Sequence, residues 1–360
     1  LYSIARRNGD VAALLEKYED KLSNSPMYLD LAGTVYTGIG MHLKAWPLFK
    51  QAVALQPGVD LFQANFAACG VFLGKIEEAQ DIYRNLLKRF PNHRKNHYEL
   101  SRLGKASDTR HIEQMQEVLR TTNDTPDKNI YLYYALGKEY EDLGQWEQAF
   151  EYYKMAGDAV TSVANYSVSE DIAIIDKVIE VCSADWLASK PVRTGAGDYG
   201  KTPVFIVGLP RTGTTLTERV VSSHSKVSSI GETLFLQMML RQESGVESID
   251  SMNPEIIEAV AQKDIDLIAR GYMDKVKYRF GDEQMFIDKL PWNVLYLGFI
   301  AKAWPNAKII NLKRNPMDSC FSMYKQVFTW AYKFSYSLDG LAQYFVAYDR
   351  LCKHWRELLN

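Results

Sequence analysis

Apolar and polar positions in the first half of the chain follow the three-to-four-residue rhythm of amphipathic helices, and that rhythm itself recurs. At a spacing of 34 residues, Pro91 follows Pro57, Ala79 follows Ala45 and Tyr83 follows Phe49. Within each unit, small residues stand where two helices would cross, and aromatic ones where they would fill the gap between them. One copy reads Ala32, Gly33, Tyr36, Ala45, Phe49, Ala52 and Pro57, the next Ala67, Ala79, Tyr83 and Pro91, and a further one Leu136, Gly137, Tyr140, Gly144, Ala149, Tyr153 and Ala156. Residues 94–128 between them are degenerate. Three or four such helix pairs predict a short α-helical solenoid, because one pair cannot bury its apolar face alone. Helical patterning runs on to about Leu187. After residue 200 it gives way to short β-rich runs, PVFIVG, KVSSIG, MFIDK and AKIINLKR, separated by helices. That alternation predicts a central parallel sheet with helices on both faces. Residues 234–281 hold no strand-like run and read as inserted helices, a lid or a substrate wall.

The small-and-aromatic pattern over roughly residues 20–160 resembles the tetratricopeptide repeat. The resemblance implies either a groove that binds peptides or a scaffold that packs on its neighbour or on a second subunit, as in a homodimer. The stretch SKPVRTGAGDYGKTP, rich in Gly, Pro and Lys, reads as a linker. It divides an N-terminal helical-repeat domain, 1–188, from a C-terminal α/β domain, 201–360.

Charge narrows the possible partners. With 42 basic and 44 acidic residues the formal net charge is −2, which disfavours a general nucleic-acid binder but leaves room for a local basic pocket. The four cysteines, Cys69, Cys182, Cys320 and Cys352, are far apart and form no CxxC pair. Neither a disulfide framework nor a metal site is expected, and a reducing, cytoplasmic compartment fits best. No apolar run approaches the roughly 20 residues of a membrane span, and the first residues lack a signal-peptide core. Because the chain opens on Leu1 and stops at Asn360 just after a helical pattern, we expect the native protein to be longer.

The chemistry concentrates in FIVGLPRTGTTLTERVV. Gly208-Leu-Pro-Arg-Thr-Gly213-Thr-Thr215 follows a strand and precedes a helix, the setting in which a glycine turn presents backbone N–H groups and a helix N-terminus to phosphate. In an NTPase loop a lysine would follow the second glycine and bridge the outer phosphates. Here that position is Thr214, and the cation within the loop is Arg211, which argues against a nucleotide kinase. A cradle of this kind suits a 5′-phosphate and a group leaving beside it, with Arg211 placed to stabilise the transferred charge. The bland alternative is a turn that binds nothing.

Spacing brings further motifs to the same place. The helix from about Thr214 to His224 carries the chain about 15 Å from the loop, and KVSSI returns it by about 16 Å, which puts Gly231 and Glu232 level with the loop and His224 out of reach. Asp288 and Lys289 end the strand MFIDK, and Arg314 ends AKIINLKR. All would meet at the carboxyl edge of one parallel sheet, where open α/β folds bind ligands.

PRTGTTL resembles the 5′-phosphosulfate loop of PAPS-dependent sulfotransferases, P-[RK]-[ST]-G-T-T-[LW]. The form with arginine and leucine is similar to tyrosylprotein sulfotransferases and to bacterial sulfotransferases that carry tetratricopeptide repeats. The resemblance spans 203–360 and implies a P-loop-like domain that binds PAPS as donor and releases PAP. It further implies a nucleotide cradle of Arg211, Thr212, Gly213, Thr214 and Thr215, and a 3′-phosphate site from Arg314 and Ser322, which keep the family's eight-residue spacing. Glu232 stands 21 residues after Arg211, where the tyrosine enzymes carry their base. Lys289 matches the lysine thought to stabilise the transition state, and Arg211 joins them as a catalytic cation, so no metal is needed. Each has a plainer reading: a capping carboxylate for Glu232, a solvated strand end for Lys289, and a helix start at Asn315-Pro316.

The acceptor implied first is a protein or peptide tyrosine, and second a carbohydrate or small-metabolite hydroxyl. A repeat scaffold with an inactive nucleotide-binding domain is a third reading. The departures bear on this choice. Where the tyrosine enzymes place arginines for acidic peptides, this chain continues Thr233-Leu234-Phe235-Leu236, and Gln326 replaces a second basic residue 12 positions after Arg314. No glycine-rich basic segment follows Arg314, which implies either C-terminal truncation or an incomplete nucleotide site. The aromatic run from Phe328 to Tyr336 reads as the lining of an acceptor pocket or as helix packing.

Overall fold

A computed structural model of the chain describes residues 8–22, 25–189, 200–248, 252–328 and 331–359. Most of the expected linker, 190–199, lies outside the described residues, as do Thr329 and Trp330 of the aromatic run. Internal contacts divide the chain into two units. The first comprises Leu1–Ala164 with Lys325–Thr329, and the second Asn165–Tyr324 with Trp330–Asn360.

The first unit is helical: α1 (Asn8–Leu22), α2 (Pro26–Gly38), α3 (His42–Leu55), α4 (Asp60–Phe72), α5 (Ile76–Arg89), α6 (Arg94–Arg102), α7 (Arg110–Thr122), α8 (Ile130–Asp142) and α9 (Trp146–Val163). From α2 to α6 each helix packs on the next, and α8 packs on α9. The first helices of successive pairs begin at residues 26, 60, 94 and 130, and the second helices at 42, 76, 110 and 146. Thus the degenerate stretch keeps the step with two helices, but α6 and α7 pack mainly on α8 and little on each other. The small–aromatic pattern is the helix-crossing contact itself. A Cβ on Gly33 would lie 2.8 Å from the Phe49 ring, and one on Gly137 2.7 Å from the Tyr153 ring. Turns within three of the pairs use Gly40, Gly74 and Gly144 at φ 77, 76 and 74°, where a side chain would be strained.

The α6–α7–α8 region buries a polar chain. His97 is 1 % exposed. Its Nε2 lies 2.7 Å from the Pro91 carbonyl and its Nδ1 2.8 Å from His111 Nε2, while His111 Nδ1 lies 2.6 Å from Glu139 Oε1.

The second unit begins with α10 (Val168–Val181) and α11 (Ala184–Ala188), helices that the continuous helical patterning up to Leu187 assigns to the N-terminal domain. A capping box starts α10: Ser167 Oγ accepts from the Ser169 amide, and Glu170 accepts from the Ser167 amide. The apolar face of α10 then packs on α14 (Pro254–Ala261) and α18 (Leu338–Leu358). Tertiary burial, rather than a Gly/Pro signal, assigns these helices to the second unit.

The sheet holds β1 (Thr202–Gly208), β2 (Val227–Ser229), β3 (Met285–Lys289) and β4 (Lys308–Leu312), all parallel, in the order β2-β3-β1-β4. The four β-rich runs are these four strands. Every residue of β1 from Pro203 to Gly208 is buried, so both faces of the central strand are covered. The stretch 234–281 is helical as expected, with α13 (Phe235–Ser244), α14 and α15 (Ile265–Val276), followed by a single 3₁₀ turn. The remaining helices are α12 (Thr214–Ser222), α16 (Leu297–Ala303) and α17 (Pro316–Tyr324). No described helix is long and apolar enough to cross a membrane.

Candidate active site

The parallel register brings the chemistry to one edge. Gly208 is level with Leu312, and Lys289 with Ile206. The backbone between Gly208 and Gly213 is forced. A Cβ on Gly208, at φ 143°, would sit 2.5 Å from the Leu312 carbonyl oxygen, so the close approach of β1 to β4 admits only glycine. Arg211 adopts φ 66°, a left-handed conformation that costs a non-glycine residue about 1–3 kcal/mol and clusters at functional sites. Gly213, at φ 105°, caps α12; among the described residues no side chain accepts from the first amides of that helix, and a Cβ on Gly213 would meet nothing within 4 Å. Uncapped helix amides beside open space suit an anion. Thr212 closes the turn by donating to the Leu209 carbonyl at 2.7 Å; Thr214 is buried, whereas Thr215 and Arg211 are exposed.

Beyond β2, the Lys289 amide donates to the Gly231 carbonyl at 3.0 Å, which fixes the next residue, Glu232, at the sheet edge. The Lys289 ammonium, 5 % exposed, pairs with Glu232, which is half exposed, and lies 3.6 Å from Glu218 Oε2 on α12. Glu218 also accepts from the Ser229 hydroxyl. One buried cation thus faces two carboxylates.

Beneath the pair lies Asp288, fully buried. Its Oδ2 accepts from the Tyr272 hydroxyl at 2.7 Å and from the Thr233 hydroxyl at 2.9 Å, and its Oδ1 from the Asn293 amide at 3.3 Å. Burial pushes its carboxyl up to about 7; the hydrogen bonds from Tyr272 and Thr233 oppose the rise, and the negative charges of Glu232 and Glu218 add to it. Because Thr233 adjoins Glu232 and Asp288 adjoins Lys289, this cluster holds both ends of the ion pair.

On β4's side, Arg314 donates from Nη1 to the Arg211 carbonyl at 3.2 Å, tying the two expected phosphate-binding segments together, and its Nη2 lies 3.7 Å from Asp318. Asn315 Oδ1 accepts from the Met317 and Asp318 amides, so the plainer reading of Asn315-Pro316 as a helix start also holds. Ser322 lies two turns along α17, half-buried and without a side-chain hydrogen bond among the described residues. His224 sits in the turn between α12 and β2, accepting from the Lys226 amide at 3.1 Å. Gln326 belongs to the first unit, where it donates to the Tyr98 hydroxyl at 3.2 Å.

Sequence reasoning missed two groups. Glu218 is hidden in an ordinary helical run, its one signal being its place a turn after Thr214. The Asp288 cluster joins residues 16 and 55 positions apart, from Tyr272 and Thr233. The aromatic run divides: Phe334 and Tyr336 are buried, Phe334 stacking on Tyr344 at 3.5 Å, whereas Tyr332 lies 4.8 Å from the Trp292 ring.

Residues 203–360 match the model of the sulfotransferase family. Over 351 residues the chain is 28% identical to an uncharacterized protein of Aquifex aeolicus, covering 96% of this chain and 45% of that one. A putative protein-tyrosine sulfotransferase of Caenorhabditis briggsae is 27% identical over 33% of this chain and 42% of its own length. Protein-tyrosine sulfotransferase 1 of Danio rerio is 26% identical over 36% and 37%. The chain therefore spans less than half the length of these relatives. A crystal structure of MamA covers 43% of this chain and 90% of that one at 19% identity, with a TM-score of 0.35, a likeness too weak to build on. Residues 203–360 are an enzyme domain of the sulfotransferase family.

Proposed function

We propose that the protein transfers a sulfuryl group from PAPS to a hydroxyl acceptor. The observation that carries this reading is the Lys289–Glu232 pair at the same sheet edge as the Gly208–Thr215 loop and Arg314. Arg211, Thr212, Gly213, Thr214 and Thr215 would cradle the 5′-phosphate, and Arg314 with Ser322 the 3′-phosphate, a guanidinium matching phosphate oxygens bidentately. In the transfer, a bond forms between acceptor oxygen and sulfur while the bond from sulfur to the bridging phosphate oxygen breaks, that oxygen keeping the electron pair as PAP departs. Glu232 takes the acceptor proton onto a carboxylate oxygen. Lys289 orients that carboxylate and, with Arg211, supplies positive charge where negative charge spreads. Asp288 is a positioning residue through Thr233 and the strand end.

Protein or peptide tyrosine is the first acceptor, supported by the 21-residue Arg211–Glu232 spacing and by similarity to relatives named as protein-tyrosine sulfotransferases. We read the helix pairs of the first unit as tetratricopeptide repeats, on the 34-residue step and the Gly33–Phe49 crossing, and assign them the holding of polypeptide. Incubation with labelled PAPS and acceptor panels tests the reading: label on tyrosyl peptides supports it, label on sugars alone moves the acceptor to carbohydrate, and no label with any acceptor contradicts transfer.

A further inference from the structure

A cavity of about 650 Å³ opens within the second unit. Its wall includes Trp292 and Gln237, which follow Lys289 by three residues and Glu232 by five, and Tyr332. The Trp292 and Tyr332 rings lie 4.8 Å apart. Gln237 stands in the first turn of α13, just past Glu232, and Trp292 in the 3₁₀ turn that leaves β3 after Lys289, so the segments that carry the proposed site run on into this wall; burial, and then the negative charge of Glu232, raise the Tyr332 phenol well above its ordinary range. Tyr332 itself is held at φ 53°, a strained conformation of the kind that clusters at ligand sites.

The polar groups of the cavity are unequally available. Asp171 accepts from the Tyr166 hydroxyl at 2.5 Å, Glu170 caps α10, and Asn253 caps α14 while donating to Ser248. Gln237 is different: it is 8 % exposed and lines the cavity, yet its carboxamide makes no hydrogen bond among the described residues. Facing the cavity, that carboxamide offers both a donor and an acceptor, and a ligand that supplies both in turn would pair with it. A peptide group does so. Aromatic walls favour a flat ring.

Resting on the sulfuryl-transfer reading for its chemistry, we propose that this cavity is the acceptor subsite and takes a tyrosyl residue, its ring against Trp292 and Tyr332 and an adjoining peptide group on the Gln237 carboxamide. The charge of the wall refines the choice. Glu170 and Asp171 outnumber Lys333, so the subsite disfavours acidic neighbours and selects tyrosines in neutral or basic contexts.

Isothermal titration of the whole chain with N-acetyl-tyrosinamide, with and without PAP, tests this. Binding is expected, weakened about tenfold in Gln237→Leu, the effect of one lost buried hydrogen bond, and also weakened in Trp292→Leu, with both variants checked for an unchanged melting profile. Lysine-flanked tyrosyl peptides should bind more tightly than aspartate-flanked ones. No binding to wild type, equal affinity in both folded variants, or binding of N-acetylglucosamine in its place would overturn the proposal. PAP binding without tyrosinamide binding sinks the cavity and leaves the nucleotide reading standing; tyrosinamide binding without PAP does the reverse.

Discussion

Both units bury ionisable side chains in hydrogen-bonded chains, and the two chains respond to protons in opposite directions. In the first unit, the Pro91 carbonyl can only accept, so His97 donates from Nε2 and accepts at Nδ1 from His111, whose other nitrogen donates to Glu139. Burial, and the positive charge of His111 after it, lower His97 to about 4, against the hydrogen bond to Pro91. The unfolded chain therefore binds more protons than the folded one between about pH 4 and 6.5, and this unit loses stability as pH falls through that window. In the second unit, Asp288 is raised to about 7, so the folded form holds the extra proton, and stability falls as pH rises from about 4 to 7. The first chain secures a helix crossing. The second secures a charged pair at the carboxyl edge of the sheet, and there the strain of Arg211 and the desolvation of Asp288 are concentrated.

The steric difference between the units gives large effects. Gly208→Ala should destabilise the second unit by on the order of 3 kcal/mol, from backbone strain plus the clash with Leu312. Gly137→Ala should cost the first unit about 1–3 kcal/mol through Tyr153. Denaturant unfolding with a probe in each unit would register the two losses separately; a loss shared by both units would contradict independent cores. On function, Lys289→Ala should lower transfer about 100-fold, because it removes the cation that pairs with Glu232; unchanged turnover in the folded variant would remove Lys289 from the site.

The pH contrast gives graded effects. Asp288→Asn keeps an acceptor for Tyr272 and Thr233 and should flatten the loss between pH 4 and 7, worth on the order of 4 kcal/mol. His97→Gln should flatten the opposite slope in the first unit by a similar or smaller amount. Melting curves across pH 4–8 would reveal both, and slopes of the same sign in the two units would break the comparison.

What the sequence made legible differs between the units in the same way. Repetition betrayed the first: Gly33 and Phe49, Gly137 and Tyr153 are the same crossing contact at corresponding places of two helix pairs. The two helices at 94–122 escaped because they keep the step but not the small–aromatic residues. In the second unit the loop, the strands and the edge positions of Glu232, Lys289 and Arg314 follow from local pattern and rise per residue. Neither Asp288's partners nor the packing of α10 leaves a local trace, since both depend on residues brought together only by the fold. Gln326 shows the limit of spacing, for the position that a 12-residue offset marks as a nucleotide contact bonds instead to Tyr98 in the other unit.

The central claim is a nucleotide held by two separated phosphates, the 5′ on the Gly208–Thr215 loop and the 3′ on Arg314. Titrating wild type and Arg314→Ala with PAP and with adenosine 5′-phosphate tests it most directly. The account predicts that wild type binds PAP more tightly by about tenfold or more, as expected for a charge-assisted phosphate contact, and that Arg314→Ala erases the difference. Equal affinity of wild type for the two nucleotides would contradict it.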